Sequence, residues 1–217
     1  MRAAVLVLAA TALALPVPGE TGPVFQIEYS NPGLSPSHWT LTIHPDGSGH
    51  FHSERGNAPA TDPQTIDAPN VDRDIQLSAG FTERVFQTVR DSKRFNMDCE
   101  SHLKLAFQGW KKLSYSGPDG QGVCVFNYSR NKEIQALGDS LVSVAGTILT
   151  GARLEMLLQH DPLGLDKEME NLVEAARDGR APQIGVIRGI LARLAEDPGV
   201  MDRVRRRARA LLAGAKK

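Results

Sequence analysis

The hydrophobic period of this chain changes near residue 130, and that change constrains its fold more than any motif does. Before it, apolar and polar residues alternate, the period of a half-buried strand; after it, apolar residues recur every three or four positions, the period of an amphipathic helix. A chain patterned this way is expected to fold as α+β. An antiparallel β-sheet with one packed helix and a disulfide takes residues 20–130, and an all-helical region of about four helices takes 131–217.

Phe25, Ile27 and Tyr29 alternate with Gln26 and Glu28 and predict a first strand, broken by Asn31-Pro32-Gly33. Trp39, Leu41 and Ile43 predict a second, and residues 48–53 its return. Pro45-Asp46-Gly47 lies between them, proline presetting φ and glycine supplying the left-handed position of a three-residue hairpin loop. With that loop Ile43 faces Gly49, Leu41 faces Phe51 and Trp39 faces Ser53. The opposite side then collects Thr40, Thr42, His44, Ser48, His50 and His52.

Residues 54–72, rich in Gly, Pro, Asn and Asp, predict an irregular loop, followed by a short strand over 74–77. Ser78 is a good N-cap for a helix to about Lys93 that buries Phe81, Val85, Phe86 and Val89. Three more strands are expected over 103–107, 111–116 and 122–128, the last two joined by the turn Gly117-Pro118-Asp119-Gly120. Helices follow over 134–160, 165–178, 183–196 and from about Met201 to Leu212, with breaks at Asp161-Pro162, Gly179 and Asp197-Pro198-Gly199. The long helix is expected to pack on the apolar face of the sheet, with Trp39, Leu41, Ile43, Phe51, Phe107 and Phe126 in the core.

Arg2 followed by an apolar run over residues 3–15, with small residues near Ala12 and Ala14, fits a cleavable secretory signal over residues 1–19. The run is too short to span a bilayer, so no transmembrane span is expected in the mature chain. An exported chain, periplasmic or extracellular, favours pairing of its two cysteines, Cys99 and Cys124. Their spacing is not Cys-x-x-Cys, which disfavours redox chemistry.

Formal net charge is zero, so attraction for nucleic acid or an anionic surface is not a property of the whole chain. Export makes intracellular nucleic acid a poor partner as well. Residues 20–130 hold 10 Lys/Arg against 13 Asp/Glu, and residues 131–217 hold 14 against 12. The second excess lies in the last helix, where Arg203, Arg205, Arg206, Arg207 and Arg209 surround an apolar stripe of Met201, Val204, Ala208 and Leu211. Those arginines are candidates for binding an anionic envelope component or another protein. The alternative is a docked helix whose arginines are solvated and pair with acids on the helix before it, such as Glu196.

His44, His50 and His52 on one hairpin face are candidate ligands for zinc or copper, because alternate residues of a strand point the same way. The alternative is a solvated polar face. Ser48 between two glycines does not fit the Gly-x-Ser-x-Gly nucleophile elbow, since it lies in a hairpin. Asp72 and Asp74 are candidates for a cation or acid–base role, though such pairs more often cap turns. Asn127-Tyr128-Ser129 matches the glycosylation acceptor pattern at an expected strand end.

The stretch around residues 191–212, with Leu194-Ala-Glu-Asp-Pro, then Val204-Arg205, Ala208 and Leu211-Leu212, resembles a single HEAT-type helical repeat over about 30 residues. The resemblance implies a packed helix pair and a binding surface; a solenoid would need several such units. The order of hairpin, helix and second hairpin before it is similar to small exported bacterial domains of unknown function. Two functional classes follow. The first is a non-enzymatic exported binding or envelope-associated protein using its basic helix, with no cofactor. The second is a metal-dependent or hydrolytic enzyme centred on the hairpin histidines. A concave pocket gathering those histidines with an acid would favour the enzyme, and a flat solvent-facing sheet the binder.

Overall fold

A computed structural model of the protein describes residues 22–56, 70–215. The expected signal segment and most of the expected 54–72 loop lie outside the described residues. The fold is α+β. One six-stranded antiparallel sheet runs in the order β4-β3-β2-β1-β5-β6, and five α-helices accompany it. The strands are β1 Val24–Ser30, β2 His38–Ile43, β3 Ser48–Glu54, β4 Val71–Gln76, β5 Trp110–Gly117 and β6 Gly120–Phe126. The helices are α1 Ala79–Asp91, α2 Lys132–His160, α3 Gly164–Arg177, α4 Arg188–Glu196 and α5 Asp202–Gly214.

The first hairpin has the register that its turn implies: Ile43 opposite Gly49, Leu41 opposite Phe51 and Trp39 opposite Ser53. Gly47 takes φ 82°, the left-handed position, and Asp46 accepts hydrogen bonds from the Ser48 amide and hydroxyl. Phe25, Ile27, Leu41, Ile43, Phe51, Leu113 and Phe126 point to one face and are fully buried there. Tyr29 and Trp39 stack beside them, ring centroids 5.2 Å apart.

That face is covered by α1 and α2. Phe81, Val85, Phe86 and Val89 of α1 join the sheet core, as do Ile134, Leu141, Val144 and Ile148 of α2. The remainder of α2, from Leu154, enters a second core with Leu165 and Met169 of α3, Leu191 and Leu194 of α4 and Val204 and Ala208 of α5. One helix therefore belongs to both cores. Its 29 residues are long and apolar enough to cross a membrane by composition, and that apolarity reflects packing on several sides. Asn131 caps it, accepting from the Glu133 and Ile134 amides.

Three expectations need correction. The fourth strand starts at Val71 rather than 74, because Arg73 occupies an inward-tending position and breaks the apolar alternation. Its guanidinium meets Glu155 of α2 at 3.3 and 2.8 Å, a bidentate pair that a local reading cannot find. The helix expected from 183 begins at Arg188, after a left-handed Gln183 and a short 3-10 turn Ile184–Ile187. The strand expected over 103–107 is absent: that segment is irregular, and Phe107 is exposed rather than core.

Candidate functional site

The sheet's outer face is uncovered where the expected histidine site lies. His50 and His52 project from it, with side chains 45% and 40% exposed, opposite Asp74 and Asp72 across the β3–β4 ladder. His50 Nδ1 lies 2.9 Å from Asp74, and its Nε2 lies 3.2 Å from Asp72. His52 Nδ1 lies 2.8 Å from the other oxygen of Asp72. Asp72 thus stands between the two imidazoles, which converge on a carboxylate rather than on a common vacant point.

The hydrogen bond to Asp74, with Asp72 adding to it, holds the His50 pKa above the ordinary imidazole value. Hydrogen bonding from His52, then the nearness of His50, holds Asp72 below the usual carboxylate range. His44 lies past the end of β2, exposed, with its amide donating to the Ser48 carbonyl. Among the described residues no group of three or more His, Cys, Asp or Glu is placed to hold a metal ion. Ser48 donates to Asp46 at 2.6 Å rather than to a histidine. Cavities of about 360 Å³ between α1 and α2 and about 720 Å³ between the end of β4 and α5 are lined by no histidine, cysteine or carboxylate pair.

The five arginines of α5 all meet partners within the chain. Arg203 and Arg207 reach Asp166 of α3 at 2.6 and 2.7 Å. Arg205 and Arg206 pair with Asp202 one turn earlier. Arg209 donates to the Ala195 carbonyl at the end of α4 at 2.9 Å. Their partners are acids of α3 and of α5 itself and one carbonyl of α4, rather than Glu196 of the preceding helix, and the result is a helix fastened to its neighbours.

The most unusual surface lies where a strand was expected. All seven residues from 102 to 108 are exposed, and they form a ridge carrying Leu103, Leu105 and Phe107. These are 46%, 48% and 49% exposed, and Trp110 at the ridge's root is 45% exposed. Phe107 meets Trp110 edge-on at 6.0 Å. Val123 and Val125, on the outer face of β6, are exposed as well.

The ridge is exposed but not loose, because its backbone is tied down at both ends and at Leu105, while the amides of Lys104, Ala106 and Phe107 have no partner among the described residues. Glu100 accepts from the Ser101 and His102 amides and, through its other oxygen, from the Asn127 amide at 2.7 Å. Burial opposes ionisation of Glu100, yet these bonds hold its pKa below the usual carboxylate range. The Asn127 carboxamide accepts from the Gln108 amide at 2.7 Å and donates to the Ala106 carbonyl at 3.3 Å. Tyr29 donates its hydroxyl to the Gln108 carbonyl at 2.7 Å. Gly109, at φ 105°, follows, and a Cβ there would collide with the Tyr29 ring.

Two further anchors lie beneath. Lys111 is 3% exposed, donates to the Asn127 carbonyl at 3.2 Å and lies 3.8 Å from Asp139 of α2. Burial pushes its pKa down, against the pull of Asp139 and Glu100. Just before the ridge, Cys99 is joined by a disulfide to Cys124 of β6, with Cα atoms 5.6 Å apart. The acceptor pattern at Asn127-Tyr128-Ser129 therefore coincides with a carboxamide already engaged and a buried Ser129.

No protein-family model and no curated protein matches the chain. Sequence reasoning missed the ridge because Leu103-Lys104-Leu105-Ala106-Phe107 has the alternation of a one-sided strand. The available signal was charge: residues 101–112 hold three lysines and no carboxylate.

Proposed function

We propose that the protein is a non-enzymatic, exported binding protein of the cell envelope, and that the ridge at 102–110 is its docking surface. The observation that carries this reading is a set of large apolar side chains held outward on a backbone with fixed internal partners. Exposed apolar clusters cost solubility, and an exposed cluster on a pinned loop marks a site of contact. The alternative centred on His44, His50 and His52 has less support, because His50 and His52 are already matched to carboxylates. The basic helix has less as well, since each arginine has a partner in the chain. Export draws support from the disulfide at the ridge's base and from the apolar run at residues 3–15.

The test is sedimentation of the protein with isolated cell envelopes, comparing wild type with the double variant Leu105→Asp/Phe107→Asp. The variant should stay in the supernatant while its far-ultraviolet circular dichroism and melting curve remain those of wild type. Equal sedimentation of the two proteins would overturn the assignment of the ridge.

A further inference from the structure

We propose that the ridge docks on an anionic lipid surface, with Leu103, Leu105 and Phe107 entering the boundary between headgroups and acyl chains. This rests on the reading of the ridge as the binding site and names what it binds.

Three observations point to lipid. The first is the state of the backbone. Amides of Ser101, His102, Leu103, Leu105 and Gln108 all donate within the chain, to Tyr128 and Glu100, Glu100, Ser101, Leu103 and Asn127 respectively. The carbonyls of Leu103, Ala106 and Gln108 accept within the chain. The amides of Lys104, Ala106 and Phe107 at the crest have no partner among the described residues, and the headgroup layer, with its phosphate oxygens and water, can take them, whereas the hydrocarbon core cannot.

The second observation is charge. Lys104 lies between Leu103 and Leu105, and the stretch 101–112 adds Lys111 and Lys112 with no carboxylate. Lys112 is engaged by Glu28 at 3.0 Å and Lys111 is buried, so Lys104 is the cation on the ridge itself. Of the nearest acids, Asp98 pairs with His102 at 2.9 Å, whereas Glu100, held by four neutral groups, keeps its negative charge at the ridge's base. Arg130, close enough to His102 to oppose its protonation, adds a second cation on this side. Apolar side chains interleaved with cations are what an anionic bilayer surface attracts. The third is Trp110, half-exposed at the root, where an amphipathic ring would meet the headgroups.

The experiment is flotation of the full chain with vesicles of phosphatidylglycerol and phosphatidylethanolamine, against vesicles of phosphatidylcholine alone. The wild-type protein should float with the anionic vesicles. Phe107→Asp should lower that binding by about tenfold, the loss expected from one partly buried aromatic. Lys104→Glu should lower it by about fivefold at low salt and by less at high salt. The apolar run at residues 3–15 is common to all these proteins, so the differences between them report the ridge. Equal flotation of wild type and Phe107→Asp would overturn the lipid proposal.

So would a wild type that fails to float while the ridge variants still lose envelope sedimentation. In that case the ridge remains the binding site and its partner is a protein or polymer. Ridge variants that change neither vesicle nor envelope binding would remove both readings. Leu105→Asp serves as a second variant should Phe107→Asp melt early.

Discussion

Asn127 holds the ridge through a carboxamide that accepts at Oδ1 and donates at Nδ2, so no single-function side chain can replace it. Asn127→Ala should destabilise the fold by only about 1–2 kcal/mol, because the groups it releases can meet water. It should nevertheless speed amide hydrogen exchange at Gln108 markedly. Asn127→Asp, which keeps the acceptor, should protect Gln108 nearly as well as wild type.

Protonation acts on the same scale. The His50 pKa is raised by Asp74 and Asp72, so its ion pairs stabilise the sheet fully below the ordinary imidazole value of about 6.5. That contribution is lost as pH rises through the higher folded value. A histidine NMR titration should place His50 above its ordinary value, and Asp74→Asn should bring it back toward that value. Glu100 has the opposite sign. Its contribution is present above the ordinary carboxylate value and is lost as pH falls through the lower folded one, so protection of the His102 amide, measured against an unstructured peptide at the same pH, should fall in acid.

At the scale of elements, α5 is fastened to α3 by a shared carboxylate. Asp166 serves both Arg203 and Arg207, so Asp166→Ala should cost about 1–2 kcal/mol, read as a lower melting temperature. Losing the bond from Cys99 to Cys124 should cost more, about 3–4 kcal/mol on the chain-entropy model, and should loosen the ridge next to it. The double Cys→Ser variant measured by denaturant unfolding checks this.

The hairpin of β2 and β3 was legible because a three-residue turn fixes register, and register fixes which side chains share a face. The start of β4 was not, because Arg73 in an inward-tending position breaks the apolar pattern and its partner, Glu155, lies 82 residues further along. The ridge misled for a more general reason. Alternation tells that a segment has two unlike sides, and Phe107 and Phe126 both satisfy it. Which side is covered depends on tertiary neighbours: Phe126 lies fully buried under α2 and Phe107 has nothing above it. His50 and His52 lie on the outer face as the register implied, His44 lies past the end of β2, and the carboxylate partners on β4 could be assigned only once that strand's register was known.

For the whole molecule, α2 is the element that makes two differently patterned halves pack together. Its first turns complete the sheet core, and its later turns, with Leu154 and Leu157, complete the helical core. Ser78 donating to Gln183 and Arg73 paired with Glu155 add polar links between the halves. The ridge is rooted in β5 and β6 and meets this shared helix beneath its base, through Lys111 and Asp139. A substitution such as Leu141→Ala inside the shared core should therefore cost about 2–5 kcal/mol, whereas Phe107→Ala on the ridge should cost under about 1 kcal/mol.

Acrylamide quenching of tryptophan fluorescence during envelope binding tests the docking role of the ridge most directly. The chain has two tryptophans; Trp39 is buried and Trp110 is exposed at the ridge's root, so quenching in the free protein reports Trp110. The expected result is that envelope-bound protein loses this quenching and its emission moves to shorter wavelength. Envelope-bound protein whose Trp110 is quenched as strongly as in the free state would contradict it.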